Sequence, residues 1–300
     1  MAAVEQRDLS GGPSRPAARA SAGRPAPEKP PGAEAVAVPD GAPGSEDTRV
    51  TWRLDLAYEG TAFRGWARQP GERTVQAVLE DALATVLREP VRLSVAGRTD
   101  AGVHAWAQVA SFRSADGDLR PERLLRALNG LLPEDVAVLA ASPAPPGFVA
   151  REARSRTYEY RLWLSRARPV RDRAHVWQVR GPVDVEALPR AAKLLTGRRD
   201  FAALTPSAGA YHSCVREVLE AQWAAAPPVP GAPAGAEWVF TIRARSFLHN
   251  MVRVAVGSMV DVAQGRMTVD GLSAALDGHE RARAGQTAPA RGLALIAVEY

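Results

Sequence analysis

One carboxylate set between two glycines is the part of this chain best suited to chemistry: Gly97-Arg98-Thr99-Asp100-Ala101-Gly102-Val103-His104-Ala105. Glycine allows backbone conformations and close approaches that a side chain would block, so a ligand can come near the peptide between Gly97 and Gly102, with Asp100 on the floor of such a site. An aspartate between glycines is also a common turn residue that bonds its own backbone, and spacing alone leaves both roles open. A second candidate is the glycine-containing stretch 59–70, where Arg64 and Arg68 could hold phosphates and rings such as Trp66 could stack on bases. Trp66 is equally suited to plug the core beneath that loop. A third is Arg253, an arginine within an apolar helical pattern. A guanidinium there is costly to bury, and a paired acid is the natural compensation, although a helix face that reaches solvent would serve as well.

The elements that must position these residues are visible as periodicities. Val50, Trp52, Leu54, Leu56 and Tyr58 alternate with Thr51, Arg53, Asp55 and Ala57, the two-residue period of a strand with one buried face. Thr74 has the character of an N-cap, and Val75, Val78, Leu79, Ala82, Leu83, Val86 and Leu87 follow at helical spacing. Residues 91–96 predict the strand that enters the Asp100 bend and 105–112 the strand that leaves it. Pro121 opens a helix carrying Leu124, Leu125, Leu128 and Leu131 on one face, and 136–140 predicts another strand.

The order strand, helix, strand, strand, helix, strand implies a split βαβ layer. The second half repeats it less cleanly. Residues 155–164 alternate, with Arg156, Tyr158, Tyr160, Leu162 and Leu164 on one face. Residues 184–196 predict a helix closed by Gly197 as a left-handed C-cap. Residues 215–225 and 237–245 read as paired strands around a Pro/Gly/Ala loop at 227–236, 249–263 and 268–276 as helices, and 293–300 as a closing strand. The predicted fold class is α+β: two similar split-βαβ-like halves, 50–150 and 151–300, forming one continuous, mostly antiparallel sheet. Helices cover one face, and a cleft lies at the junction.

Composition bounds the function. Three hundred residues with 46% hydrophobic content can bury a substantial core. The formal charge is +5, but the first 48 residues hold five basic and seven acidic side chains, so the remainder carries +7. A basic folded part suits a polyanion such as nucleic acid. Cys214 is the single cysteine, which excludes an internal disulfide and points to a reducing, cytoplasmic setting. No run of about 18 uncharged apolar residues occurs, since Arg253 and Asp261 interrupt the best one, so no membrane span is predicted. Residues 1–49 are rich in Ala, Pro and Gly, lack aromatics and show no period, which predicts a disordered tail. Glu5, Arg7 and Asp8 break the place where the apolar region of a signal peptide would sit. The tail reads either as an inert extension or as an arm that touches RNA loosely.

The nine residues 97–105 resemble the signature of the tRNA pseudouridine synthase A (TruA) family. Further blocks resemble the same family in the same order: the loop from Tyr58 to Gln69; Arg154-Ser155-Arg156-Thr157-Tyr158-Glu159-Tyr160; Phe247-Leu248-His249-Asn250-Met251-Val252-Arg253 with Val256-Gly257-Ser258; and Thr287-Ala288-Pro289 before Gly292-Leu293. Two positions depart from the pattern, Ala67 where the family often has Gln and Val149 where many members have His. The resemblance implies an isomerase that converts uridine to pseudouridine in the anticodon stem-loop of tRNA. It also implies that no cofactor or metal is needed and that a homodimer binds one tRNA across both subunits.

By the same resemblance, Asp100 is the essential catalytic residue, Tyr158 stacks on the target uracil with its hydroxyl near the proton step, and Arg253 partners the catalytic carboxylate. Arg98 helps extrude the base or fills its gap, and is equally suited to contact a phosphate. His104 reads as structural or as a proton carrier. Two alternatives share these motifs: the same chemistry on another RNA, and a non-catalytic RNA-binding or chaperone protein that keeps the fold.

Overall fold

The computed structural model describes residues 49–115, 119–227, 233 and 235–300. The predicted tail up to residue 48 and most of the loop at 227–236 therefore lie outside the described residues. The chain opens with β1 (Val50–Tyr58), whose Trp52, Leu54, Leu56 and Tyr58 are buried as the alternation requires. Helix α1 (Val75–Leu87) starts at Thr74, whose hydroxyl accepts the Ala77 N–H, and ends where Arg88 turns left-handed. It is followed by β2 (Ser94–Val95), β3 (His104–Ser114), α2 (Pro121–Leu131) and β4 (Val136–Pro143). Val75, Leu79 and Leu83 of α1 and Leu124 and Leu128 of α2 share one core with Leu54 and Leu56 of β1. Full burial of each such leucine contributes about 1.5 to 3 kcal/mol relative to exposure.

The second half runs β5 (Ser155–Trp163), β6 (Trp177–Gln178), α3 (Ala187–Ala192), β7 (Gly197–Asp200), β8 (Val215–Ala225), β9 (Glu237–Ala244), α4 (Met251–Ala263), α5 (Val269–Asp277) and β10 (Leu293–Glu299). All the described strands join one sheet in the order β4-β1-β3-β10-β5-β9-β8-β7, with β2 added to β3 and β6 to β5. The pairs are antiparallel except β10 with β3 and β5 with β6. The last strand is thus the seam: Leu295 sits opposite Ala105 on one side and Tyr158 on the other, which fixes the Asp100 loop relative to β5. The architecture is α+β with a large, mostly antiparallel sheet, as the sequence predicted.

Three local expectations need correction. The strand expected over 91–96 shrinks to two residues, because the buried Glu80 carboxylate takes the Leu93 N–H (3.1 Å) that a neighbouring strand would have taken. The helix expected over 184–196 is only six residues followed by a 3-10 turn, Lys193–Leu195. Pro189 in its third position lacks an N–H and is tolerated only in a first turn. Gly197, expected as its cap, instead opens β7. The helix expected from His249 begins at Met251, because Asn250 adopts a left-handed φ of 58°. Strands β6 and β7 carry no apolar alternation and went unforeseen. No helix among the described residues is long and apolar enough to cross a membrane.

Candidate active site

The bend between β2 and β3 that carries Asp100 is fixed from beneath by a buried polar network. Gln108, buried on β3, donates one amide N–H to Gly97 O (2.8 Å) and approaches the Tyr58 hydroxyl at 3.2 Å. The Tyr58 hydroxyl in turn lies 2.8 Å from Thr99 Oγ1. Burial pushes the Tyr58 phenol up to about 12, so it stays protonated and can donate. The loop after β1 closes the bend from the side: Trp66 N–H donates to Thr99 O (3.0 Å) and Gly102 N–H to Phe63 O (3.2 Å). Gly102 has φ +77°, a conformation that a residue with a Cβ rarely takes, and this turns the chain into β3.

Above Asp100 lies a cavity of about 470 Å³. Its walls come chiefly from Gly97 to Asp100 of the bend, Arg156 and Tyr158 of β5, and the run from Ser246 through Arg253 that leads into α4, with Tyr211 and Leu293 also contributing. Four of the residues singled out in the sequence, Arg98, Asp100, Tyr158 and Arg253, therefore line one cavity. Arg98 is exposed and Asp100 part-exposed, whereas Tyr158 is 7% exposed and meets Phe247 edge-on at 5.1 Å. Burial, and secondarily the nearby Tyr58 and Asp100, raise the Tyr158 phenol well above its ordinary range. Its hydroxyl therefore carries its proton at any physiological pH.

The expected ion pair between Arg253 and Asp100 is not formed. Arg253 donates Nε–H to Ala288 O (2.8 Å) and Nη1–H to Asn250 Oδ1 (2.6 Å). The reason is local: α4 carries Gly257 where a Cβ would lie 1.8 Å from Gln286 O, so the segment before β10 lies directly on the helix and brings Ala288 O to the guanidinium. Asp100 instead lies beside the imidazole of His249, with Nε2 3.6 Å from Oδ1. His249 is held by the loop before β8, its Nδ1 3.1 Å from Ser207 Oγ and its backbone N–H donated to Tyr211 Oη (2.9 Å). Sequence reasoning passed over His249, although it stands four residues before Arg253 in a motif already singled out. Only the tertiary approach of two distant segments makes it a partner of Asp100.

The loop at 59–70 is likewise corrected. Trp66 is 1% exposed and packs against Tyr58, so its ring belongs to the core and is not available for stacking. Arg68 is bound to α1, with Nε donating to Glu80 (3.1 Å) and Nη2 to Asp81 (2.5 Å). Two carboxylates already match its charge. Arg64 remains exposed, 3.4 Å from Glu72. None of the three lines the Asp100 cavity. His104 also faces elsewhere: Nδ1 accepts the Gly60 N–H (3.1 Å), Nε2 lies 3.2 Å from Ala174 O, and the ring borders a small pocket with Trp106 and His175. It holds the end of β1 to the start of β3.

Comparison with known proteins places this geometry in context. The family model described as tRNA pseudouridine synthase matches residues 56–150 and 191–300. A tRNA pseudouridine synthase A of Frankia casuarinae is 44% identical over 259 residues, 85% of this chain and 90% of the relative. Proteins of the same name from Corynebacterium glutamicum and Pelobacter propionicus are 42% and 40% identical, each over 83% of this chain and over 88% and 99% of their own lengths.

Proposed function

Because the chain belongs to the tRNA pseudouridine synthase family, whose model matches most of the described fold, we propose that the Asp100 cavity is where it isomerises uridine in the anticodon stem-loop of tRNA. The observation that supports this reading is the meeting of Asp100, Tyr158 and Arg253, from three distant segments, around one cavity large enough for a nucleoside. The isomerisation breaks the N1–C1′ bond, forms C5–C1′, releases the proton of C5 and leaves N1 with a proton. Its atoms and electrons balance without oxidant, reductant or cofactor. The target base must leave its stack to reach the cavity, at a cost of a few kcal/mol that is smallest in a loop.

Within the cavity, Asp100 is the reacting carboxylate, carried on a bend that Gln108, Tyr58 and the loop after β1 hold by hydrogen bonds. Preorganisation of this kind removes the entropic cost of alignment from the barrier. Tyr158 is the stacking face for the flipped uracil and keeps its hydroxyl protonated beside it. Arg98, exposed at the cavity, helps extrude the base or fills the gap that it leaves. Arg253 orders the turn at Asn250 and so places His249 beside Asp100. Residues 50–150 and 151–300 act as two halves of one catalytic body, working as a cytoplasmic homodimer on tRNA.

The test is incubation of the pure protein with unmodified tRNA transcripts, followed by mapping of pseudouridine at nucleotide resolution. New pseudouridine confined to the anticodon arm is the predicted result. Pseudouridine only in other RNAs, or none, would overturn the assignment.

A further inference from the structure

Arg156 lines the cavity, but its hydrogen bonds leave it nothing to offer a substrate. Nε–H and one Nη2–H donate to Ala96 O (2.8 and 2.6 Å), the other Nη2–H to Arg151 O (2.6 Å), and the two Nη1–H groups to Ala153 O (2.6 Å) and Arg245 O (2.7 Å). Five N–H groups are the whole donor inventory of an arginine, and all five are taken by backbone carbonyls. The side chain is 8% exposed, and these contacts include no carboxylate. A buried cation without a counter-ion is an expensive way to gain stability, since an apolar side chain of similar volume is often at least as stabilising. Its value therefore lies in geometry.

The four carbonyls show what that geometry is. Ala96 immediately precedes Gly97 and the bend that carries Asp100; Arg245 immediately precedes Ser246 and the wall that carries His249. One planar fork thus holds the roots of both walls, two residues along β5 from Tyr158. We propose that Arg156 is a positioning residue, a rigid strut that sets the separation of the Asp100 and His249 walls across Tyr158. The inference rests on reading the cavity as the uridine site. Lysine cannot replace it, because an ammonium has three donors and no planar fork. Reacting groups displaced by about 1 Å lose on the order of a hundred-fold in rate, so loosening this strut acts on chemistry more than on binding.

The experiment compares full-length wild type, Arg156→Ala and Arg156→Lys by amide hydrogen exchange and by single-turnover pseudouridine formation at saturating enzyme. In Arg156→Ala the amides of 97–102 and of 246–250 should gain exchange together while those of α1 and α5 stay protected. The single-turnover rate should fall about a hundred-fold with the tRNA dissociation constant within a few-fold. Millimolar methylguanidinium should restore protection and rate in Arg156→Ala, and Arg156→Lys should remain impaired. Should Arg156→Ala not fold, Arg156→Gln carries the same comparison. Exchange gained uniformly over the molecule, or in only one wall, or a variant that turns over at the wild-type rate, would overturn the strut. A wild-type protein that forms no pseudouridine overturns the reading of the site, and the exchange comparison alone then decides the strut.

Discussion

His249 Nε2 stands 3.6 Å from Asp100 Oδ1, and this contact joins the two walls of the cavity. The imidazole is 46% and the carboxylate 28% exposed, so solvent screens the pair. A contact this exposed contributes at most about 0.2 to 1 kcal/mol, and only when the imidazole carries its second proton. His249→Ala should accordingly slow isomerisation by only about two- to five-fold and leave the thermal midpoint almost unchanged. Single-turnover kinetics beside a melting curve check this, and a loss of several orders of magnitude would show that His249 takes part in the chemistry itself.

Trp66 distinguishes a core role from an RNA-contacting role for the loop after β1. Its ring is fully buried against Tyr58, and truncation of such a core aromatic costs about 3 to 5 kcal/mol. Trp66→Ala should lower stability by that amount in denaturant titration, while tRNA affinity per folded molecule stays constant. A variant of wild-type stability that binds tRNA weakly would return Trp66 to the RNA-contacting role.

Much of this arrangement was legible in the sequence, and the reasons for the remainder are physical. β1 and α1 were readable because each buries one face and therefore repeats with its own period, and Thr74 marks its helix start chemically. Asp100, Tyr158 and Arg253 were found through motifs, and they do line one cavity. What was not legible depends on who meets whom: Glu80 intercepts the Leu93 N–H and shortens a strand, Asn250 turns left-handed and delays a helix, and Ala288 O draws Arg253 away from Asp100. β7, Gly197–Asp200, forms only because β8 lies beside it, and its own residues carry no strand pattern.

His104 supplies a pH dependence. Burial, and secondarily the neighbouring His175, lower its pKa below the ordinary value of about 6.5, against a weaker opposing pull from Glu59. On acidification the unfolded chain takes up this proton before the folded one does, so stability is full above about 6.5 and is lost as pH falls towards the folded pKa. Asparagine at this position can accept the Gly60 N–H without titrating. The thermal midpoint of His104→Asn should therefore fall less steeply than that of wild type between about pH 6.5 and 5. Equal slopes would contradict the assignment of this titration to His104.

Tyr158→Phe and Tyr158→Ala separate the two roles proposed for that side chain. Stacking on one base contributes roughly 1 to 3 kcal/mol, so Ala should weaken productive binding of the target uridine by about ten- to a hundred-fold, whereas Phe keeps the ring and its edge contact with Phe247. Phe should slow only the chemical step, seen at saturating enzyme with an unchanged dissociation constant. Wild-type turnover by both variants would leave Tyr158 as a packing residue.

The central claim is that the carboxylate of Asp100 performs the isomerisation, and Asp100→Asn tests it most directly, because the amide is nearly isosteric and the bend beneath it is held by other groups. Pure Asp100→Asn, mixed in excess with an unmodified tRNA that the wild type converts, should bind that tRNA within a few-fold of the wild-type affinity and form no pseudouridine. Measurable pseudouridine from the pure variant would contradict the account.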